Sequence, residues 1–336
     1  MSHVMGLLSN ALRPLLSKIS PLLTEVGHVP RGQKILAVVG LLGGLNYLLC
    51  RARLLPTLVL RVQFCGHLFW TVVMANLNMI ILQGLAKVGI LSRKNAAGLC
   101  GAAAAWWVHL QCLLCPHVRL RTLPGSIEGG ISAMPRPHLV LANHTTIFDI
   151  VLFLWTIKPS YMRIFKTFYK AQLVKVPLLS RVLTAAENLP VYFVRDHHEE
   201  FRVERDKQEA VLKATRAHLE NKGCLSFFPE GGINHRDVRK LLTFRHGTFQ
   251  QAIDFRLDLY YMLHVGGADV WPMSGCLFGG FPADVYLHYG KIDVNYDDPT
   301  LDAKRLAEIA HDVMQQRLDW MYDEIAKIQA NETIKA

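Results

Sequence analysis

The 336-residue sequence predicts an α/β layer fold preceded by a hydrophobic helical membrane region, and three observations predict it. Residues 138–292 alternate short apolar runs with helical ones, the pattern of strands and helices stacked in layers. The first third holds three stretches without Asp, Glu, Lys or Arg: 35–50 (16 residues), 62–86 (25) and 95–118 (24). Charge divides at the same place. Residues 1–122 carry twelve Lys or Arg and one acid, Glu25, for a net +11, whereas residues 123–336 carry 25 basic and 26 acidic side chains. The chain therefore reads as an N-terminal membrane-anchoring helical region, 1–122, and a polar α/β domain, 123–336.

The second and third apolar stretches are long enough to cross ~30 Å of hydrocarbon at ~20 residues per span, and the first is marginal. Gly43, Gly44, Gly98 and the alanines at 102–105 offer small faces for close packing in lipid. Gln63, His67, Asn76, Asn78 and Gln83 interrupt the second stretch, which suits a helix lying in the interface or facing a partner. A buried soluble hairpin is the alternative. Basic residues between apolar runs sit where anionic headgroups are met. Trp106-Trp107 suits a membrane interface or a packed helix. The opening residues lack the charged head and cleavage box of a signal peptide, and 7–23, with Arg13 and Lys18, is an amphipathic helix candidate. Five of seven cysteines lie in this third and read as buried thiols of a reducing compartment. Cys112-Leu-Leu-Cys115-Pro-His117 lacks the second ligand pair of a zinc site.

With 51% AVILMFWYC and 19% charged residues, the composition excludes a disordered chain. The net charge of +10 does not indicate nucleic acid, because the polar domain is near neutral. After a turn-rich stretch (Leu123-Pro124-Gly125-Ser126, Gly129-Gly130, Pro135, Pro137) that reads as a linker or a domain-entry loop, the pattern predicts a strand over 138–142 and a helix over 147–157. A strand over 191–194, a helix over 205–220, a strand over 224–228 and a helix around 247–255 follow. Strands over 269–276 and 285–292 come next, then a long helix capped by Thr300 in which Leu306, Ile309, Val313, Leu318, Ile325 and Ile328 repeat near the helical period.

The chemistry sits in two blocks. In Ala142-Asn143-His144-Thr145-Thr146-Ile147-Phe148-Asp149, a strand runs through polar turn residues into a helix. Five residues on a regular helix turn two side chains apart, so His144 and Asp149 meet only if the histidine precedes the helix and the aspartate lies in its start. A neutral imidazole there takes a proton while the carboxylate holds its other nitrogen. The plainer alternative makes Asn143 or Thr145 a helix cap. In Phe227-Phe228-Pro229-Glu230-Gly231-Gly232, proline and glycines at a strand end expose backbone N–H groups, and Glu230 can accept a hydroxyl hydrogen bond. Here the alternative is a simple βα turn. The run Asp196-His197-His198-Glu199-Glu200 reads as a solvated helix start rather than a metal site. Asn143-His144-Thr145 and Asn331-Glu332-Thr333 fit the glycosylation sequon, the first inside the candidate site.

Together the blocks resemble the glycerolipid acyltransferase family, typified by 1-acylglycerol-3-phosphate acyltransferases, with its N-H-x4-D and F-P-E-G hallmarks 86 positions apart from His144 to Glu230. Lys170 before Val176-Pro177, the run from Leu189-Pro190 to Arg195, Phe244-Arg245-His246-Gly247-Thr248-Phe249 and Val270-Trp271-Pro272-Met273 echo further family blocks. The resemblance implies acyl transfer from acyl-CoA, as co-substrate and without a cofactor, to a lysophospholipid hydroxyl. It implies His144 and Asp149 as catalytic residues and Asn143, Lys170, Arg195, Glu230, Gly231 and Arg245 at the substrate, with no metal. Lysophosphatidate is the expected acceptor. Gly232-Ile233-Asn234 replaces the family's usual T-R-S, so another lysophospholipid or glycerol-3-phosphate stands as alternative acceptor, and Arg236 or Arg239 as a substitute cation. The same His-Asp pair would also serve a CoA-independent transacylase or a hydrolase, and a catalytically silent lipid-binding scaffold is a third possibility. The endoplasmic reticulum membrane is the location the family implies.

Overall fold

The structure, a computed structural model, describes residues 31–195, 201–273 and 278–335. The helix expected at 7–23, the run at 196–200 and Cys276 lie outside the described residues. The chain divides into two compact units between Leu54 and Leu55. In the smaller, helix α1 (Arg31–Arg51) leaves Ile35, Leu36, Val39 and Leu42 exposed.

The larger unit begins with α2 (Thr57–Lys87) and α3 (Arg93–Leu114), both long and apolar enough to cross a membrane by length and composition. Ser92 starts α3 by accepting the Asn95 N–H on its Oγ at 3.2 Å, one of the helix's otherwise unpaired donors. Along α2, Leu60, Phe64, Ala75, Asn76 and Met79 are buried. Phe64 packs on Phe148 and Trp271, and Met79 joins a cluster with Ala185 and Ala186. Asn76 Nδ2, which interrupts the apolar run, donates to the Leu178 carbonyl at 3.0 Å. Contact with the α/β part thus extends from Phe64 to Met79, over about 22 Å of α2 at ~1.5 Å per residue. Gly98 and Gly101 lie against the carbonyls of Arg163 and Met162, where a Cβ would stand 3.1 and 3.3 Å from the oxygens. The small residues of α3 serve this packing.

Strands β1 (Val118–Thr122), β2 (His138–Ala142), β3 (Phe165–Lys170), β4 (Leu189–Val191), the ribbon pair β5 (Phe193–Arg195) and β6 (Phe201–Val203), β7 (Cys224–Phe227), β8 (Asp258–Val265) and β9 (Ala283–Ile292) follow in chain order. Seven of them form one sheet in the order β1-β9-β8-β2-β7-β3-β4, with β5 and β6 paired separately. Strands β8, β2, β7, β3 and β4 run parallel, and β9, antiparallel to β8, takes β1 alongside it.

Alternation along the strands splits the core in two. Val140, Ala142, Tyr260, Met262, Val285 and Leu287 face a cluster completed by α2, α3 and α4 (Phe148–Thr156). Leu139, Leu141, Leu259, Tyr261 and Leu263 face the other side, under α7 (Arg205–Glu220), α8 (Phe249–Asp254) and the long α10 (Ala303–Lys335). Short helices α5 (Pro159–Met162), α6 (Leu179–Ala185) and α9 (Gly267–Val270) complete the layers.

Four expectations change. The strand expected over 191–194 is divided between β4 and β5, which belong to different sheets. β8 occupies 258–265, whereas the strand expected from 269 gives way to α9 and an irregular turn at Trp271. β1, a strand the sequence reading did not predict, is the sheet's edge strand, and the turn-rich stretch after it enters the domain fastened to the sheet: Leu123 and Ile127 donate to the Leu287 and Tyr289 carbonyls, and Ile131 is fully buried. Asp302, not Thr300, caps α10, its Oδ1 accepting the Arg305 N–H at 2.7 Å, while Thr300 bonds Asp298.

Candidate active site

Three parallel strands bring the site together at their carboxyl ends, where open α/β sheets present loops to ligands. β2 ends into Asn143-His144, β7 into Phe228-Pro229-Glu230, and β8 carries His264 one residue before its end.

His144 lies on the turn before α4 and Asp149 in its first turn, the arrangement their spacing requires. His144 Nδ1 is 2.9 Å from Asp149 Oδ2. The same oxygen accepts the N–H groups of Thr145 at 2.6 Å and Thr146 at 2.9 Å, and the acid sits at the positive end of α4. Asp149 is fully buried, so these donors replace its hydration. An acceptor at Nδ1 fixes the tautomer: the proton is on Nδ1, and Nε2 carries the lone pair with no hydrogen-bond partner among the described residues. The ring, 13% exposed, stacks on Phe228 at 4.1 Å and 17°.

The backbone of His144 is held from both sides. Its N–H donates to Glu230 Oε1 at 2.8 Å, and its carbonyl accepts the Asn234 N–H at 2.7 Å. The other Glu230 oxygen accepts the Leu242 N–H at 2.9 Å. Burial pushes the Glu230 carboxyl above its ordinary range, and those two N–H groups oppose the rise. Glu230 therefore ties β2 to the 238–242 loop through main-chain partners, one N–H on each of its oxygens. Asn143 is likewise spent inside the protein: Nδ2 donates to the His264 carbonyl and Oδ1 accepts the His264 N–H, both at 3.0 Å. At 1% exposure it is neither a surface sequon nor an open substrate contact.

Gly231 has φ +69°, and a Cβ there would overlap the Arg245 side chain, so glycine is required on both counts. Arg245 thereby lies across the turn that carries Glu230, and its N–H donates to the Pro229 carbonyl at 2.8 Å.

The sequence's chemical resemblance and this geometry meet in one comparison: residues 128–275 match the Acyltransferase family model. The chain carries an acyltransferase-family domain. Its fold is similar to the crystal structure of the 1-acyl-sn-glycerophosphate (LPA) acyltransferase PlsC from Thermotoga maritima, with a TM-score of 0.54 at 17% identity, over 79% of this chain and 96% of that one. No curated protein matches the chain at a significant level.

Within the acyltransferase domain, Lys170 is exposed at the carboxyl end of β3, the same edge of the sheet as His144. Arg195 ends β5, paired with Phe201 on the separate ribbon, and is not in that sheet. Asn234 is a loop staple, its Nδ2 donating to the Asp237 and Lys240 carbonyls. Arg239 lies 4.7 Å over the Tyr322 ring, while Arg236 is exposed. The sequence reading missed Phe228 as a stacking partner, and it missed the exposed apolar side chains of Ile147 and Ile150 in and beside the first turn of α4. It also missed His264, whose signal was a lone histidine in an otherwise apolar strand.

Proposed function

We propose that the protein is a membrane-associated O-acyltransferase that moves a fatty acyl group from acyl-CoA to the free hydroxyl of lysophosphatidate, giving phosphatidate. The observation that carries the reading is an imidazole tethered through Nδ1 to a fully buried carboxylate, with Nε2 unoccupied at the carboxyl edge of the sheet. Nε2 takes the acceptor's hydroxyl proton as its oxygen attacks the thioester carbonyl. The C–S bond breaks, the new ester forms, and the imidazolium returns the proton to the CoA sulfur. Asp149 holds Nδ1 and stabilises the imidazolium between these steps. No covalent acyl-enzyme and no cofactor enter the scheme.

Lys170 and Arg245 are assigned to phosphate groups of acceptor or CoA, and Arg236 to the headgroup in place of the missing family arginine; cations of this kind bind phosphate by charge-assisted hydrogen bonds. Arg195 is assigned to the same phosphates from the ribbon. Glu230 and Asn143 act as scaffold, and Gly231 gives Arg245 its path. The exposed Ile147 and Ile150 beside the site, together with Val174, Val176 and Leu178 after β3, support an acyl chain arriving from a lipid surface. The apolar outer faces of α2 and α3 support membrane association, and their long contact with the domain favours helices seated beside it. The endoplasmic reticulum belongs to this proposal on the family resemblance alone.

The test is product analysis by mass spectrometry with oleoyl-CoA and, separately, lysophosphatidate, glycerol-3-phosphate and zwitterionic lysophospholipids. Phosphatidate formed from lysophosphatidate well above all other products supports the reading. A larger product from another acceptor would reassign the headgroup, and acyl exchange between phospholipids without acyl-CoA would replace the donor.

A further inference from the structure

We infer that His264 is a positioning residue for the His144–Asp149 pair, so that the site is a three-member array His144–Asp149–His264 rather than a dyad. The inference rests on the acyltransferase reading for its kinetic readout, and on geometry for the rest.

Asp149 Oδ2 is saturated by three N–H groups, whereas Oδ1 has no aligned hydrogen-bond donor among the described residues. A fully buried carboxylate oxygen in that state is costly, and an environment that leaves Oδ1 undefined would let the group rotate and exchange its oxygens. The group facing Oδ1 is His264 Nε2, at 3.3 Å, with both side chains at 0% exposure. The same Nε2 lies 3.1 Å from the Asn143 carbonyl oxygen. Two acceptors flank this nitrogen, so it carries the proton, which is aligned on the carbonyl and presents its positive end to Oδ1.

Three contacts lock Asn143 to His264: the paired amide bonds to its backbone and the Nε2 bond to the Asn143 carbonyl. They fasten the carboxyl end of β8 to that of β2, one residue before His144. Gly267, at the start of α9, packs against the same pair, because a Cβ there would stand 3.1 Å from Asp149 Oδ1 and 3.2 Å from His264 Nδ1. His264 therefore does two things: it fixes which carboxylate oxygen faces His144, and it supplies a dipole to the oxygen left over when the imidazolium forms.

Methionine and glutamine are close in shape, and only glutamine offers N–H donors, so His264→Met and His264→Gln isolate the donor. Acyl transfer by the detergent-solubilised full chain is measured with thermal melts of each variant. The expected result is a kcat for His264→Met lower by roughly 10- to 100-fold, the scale on which losing the outer partner of a metal-ligating histidine acts, applied here to the partner of a carboxylate. KM changes less than about twofold, glutamine restores kcat to within about threefold, and His264→Met causes no further loss in an Asp149→Asn background. Wild-type kcat in folded His264→Met, a folded but inactive His264→Gln, additivity with Asp149→Asn, or failure of either variant to fold would each overturn the assignment. A readout independent of turnover is the downfield proton of the His144 Nδ1–H···Asp149 bond in NMR, identified by its loss in His144→Ala. It is expected in wild type and His264→Gln and shifted or lost in His264→Met; an unchanged resonance in His264→Met overturns the inference. If wild type turns over no acyl-CoA, the acyltransferase reading fails while this resonance still decides the role of His264.

Discussion

The two helical layers that cover the sheet bury comparable apolar cores and present opposite outer surfaces. On one side, α2 and α3 pack Phe64, Ala105 and Val108 inward and leave Phe69, Trp70, Ile80, Ile81 and Trp106 exposed. On the other, α10 packs Leu306, Ala310, Met314, Leu318 and Met321 inward and turns Glu308, Asp312, Asp319 and Lys327 outward. α10 is what water selects: one apolar stripe, one charged face. An exposed apolar surface such as that of α2 and α3 marks an interaction site, and its basic flanks suit the lipid partner of the proposed function. The candidate site lies at the strand ends between these layers, with α4 from the first layer carrying Asp149 and the 238–242 loop, braced by α10, holding Glu230.

The largest effect should come at that junction. His144→Ala should lower kcat/KM by roughly 10²- to 10⁴-fold, the range for a general base, with an unchanged melting temperature.

Next comes the apolar layer. Ile81→Asp or Phe69→Asp should weaken liposome binding by about 3 kcal/mol each, the cost scale for a carboxylate in the hydrocarbon interior, and leave the detergent-solubilised protein folded. Lys304→Ala on the outer face of α10 should stay within about 0.5 kcal/mol in stability and bind liposomes as wild type does. Equal effects of the two substitutions in a flotation assay would break the comparison.

A smaller change is expected from Gln315→Leu. Gln315 accepts the Leu241 N–H at 2.8 Å and donates to the Arg239 carbonyl at 2.9 Å, so α10 braces the loop whose Leu242 N–H holds Glu230. Leaving those groups unpaired should cost about 1–3 kcal/mol in chemical unfolding and reduce kcat more than KM changes.

A last prediction sharpens the α10 side alone. Burial beneath α10, with Arg317 nearby, pushes His288 down to about 4 from an ordinary 6.5. The unfolded chain then binds a proton the native one refuses between those values, so stability falls as pH drops from about 6.5 toward about 4. In His288→Gln the melting temperature should fall less steeply across that window than in wild type.

Much of this was legible in the sequence where local pattern and tertiary demand coincide. β2, β7 and α7 fall where the apolar pattern puts them, the three apolar helices lie over the stretches free of charged residues, and the His144–Asp149 spacing called for a turn-then-helix geometry if the two side chains were to meet. β8 escaped because Leu259 to Leu263 is buried on both faces, so the strand shows a continuous apolar run without alternation. β1 escaped because its alternating Arg119 and Arg121 abut an apolar helix; Arg121 pairs with Asp284, as charges on an edge strand often do. The roles of Asn143 and Glu230 were hidden for another reason. The partner of Asn143 is His264, and one partner of Glu230 is the backbone of His144; both are distant in sequence, and the sheet order brings them together, while Leu242 reaches Glu230 from the loop that follows it.

The central claim is that Nε2 of His144 deprotonates an acceptor hydroxyl for attack on acyl-CoA. The most direct measurement is thiol release from oleoyl-CoA by detergent-solubilised wild type and His144→Ala, each with and without lysophosphatidate. The account predicts acceptor-dependent release by wild type and only background release by the folded variant. Acceptor-dependent release persisting in folded His144→Ala would contradict it.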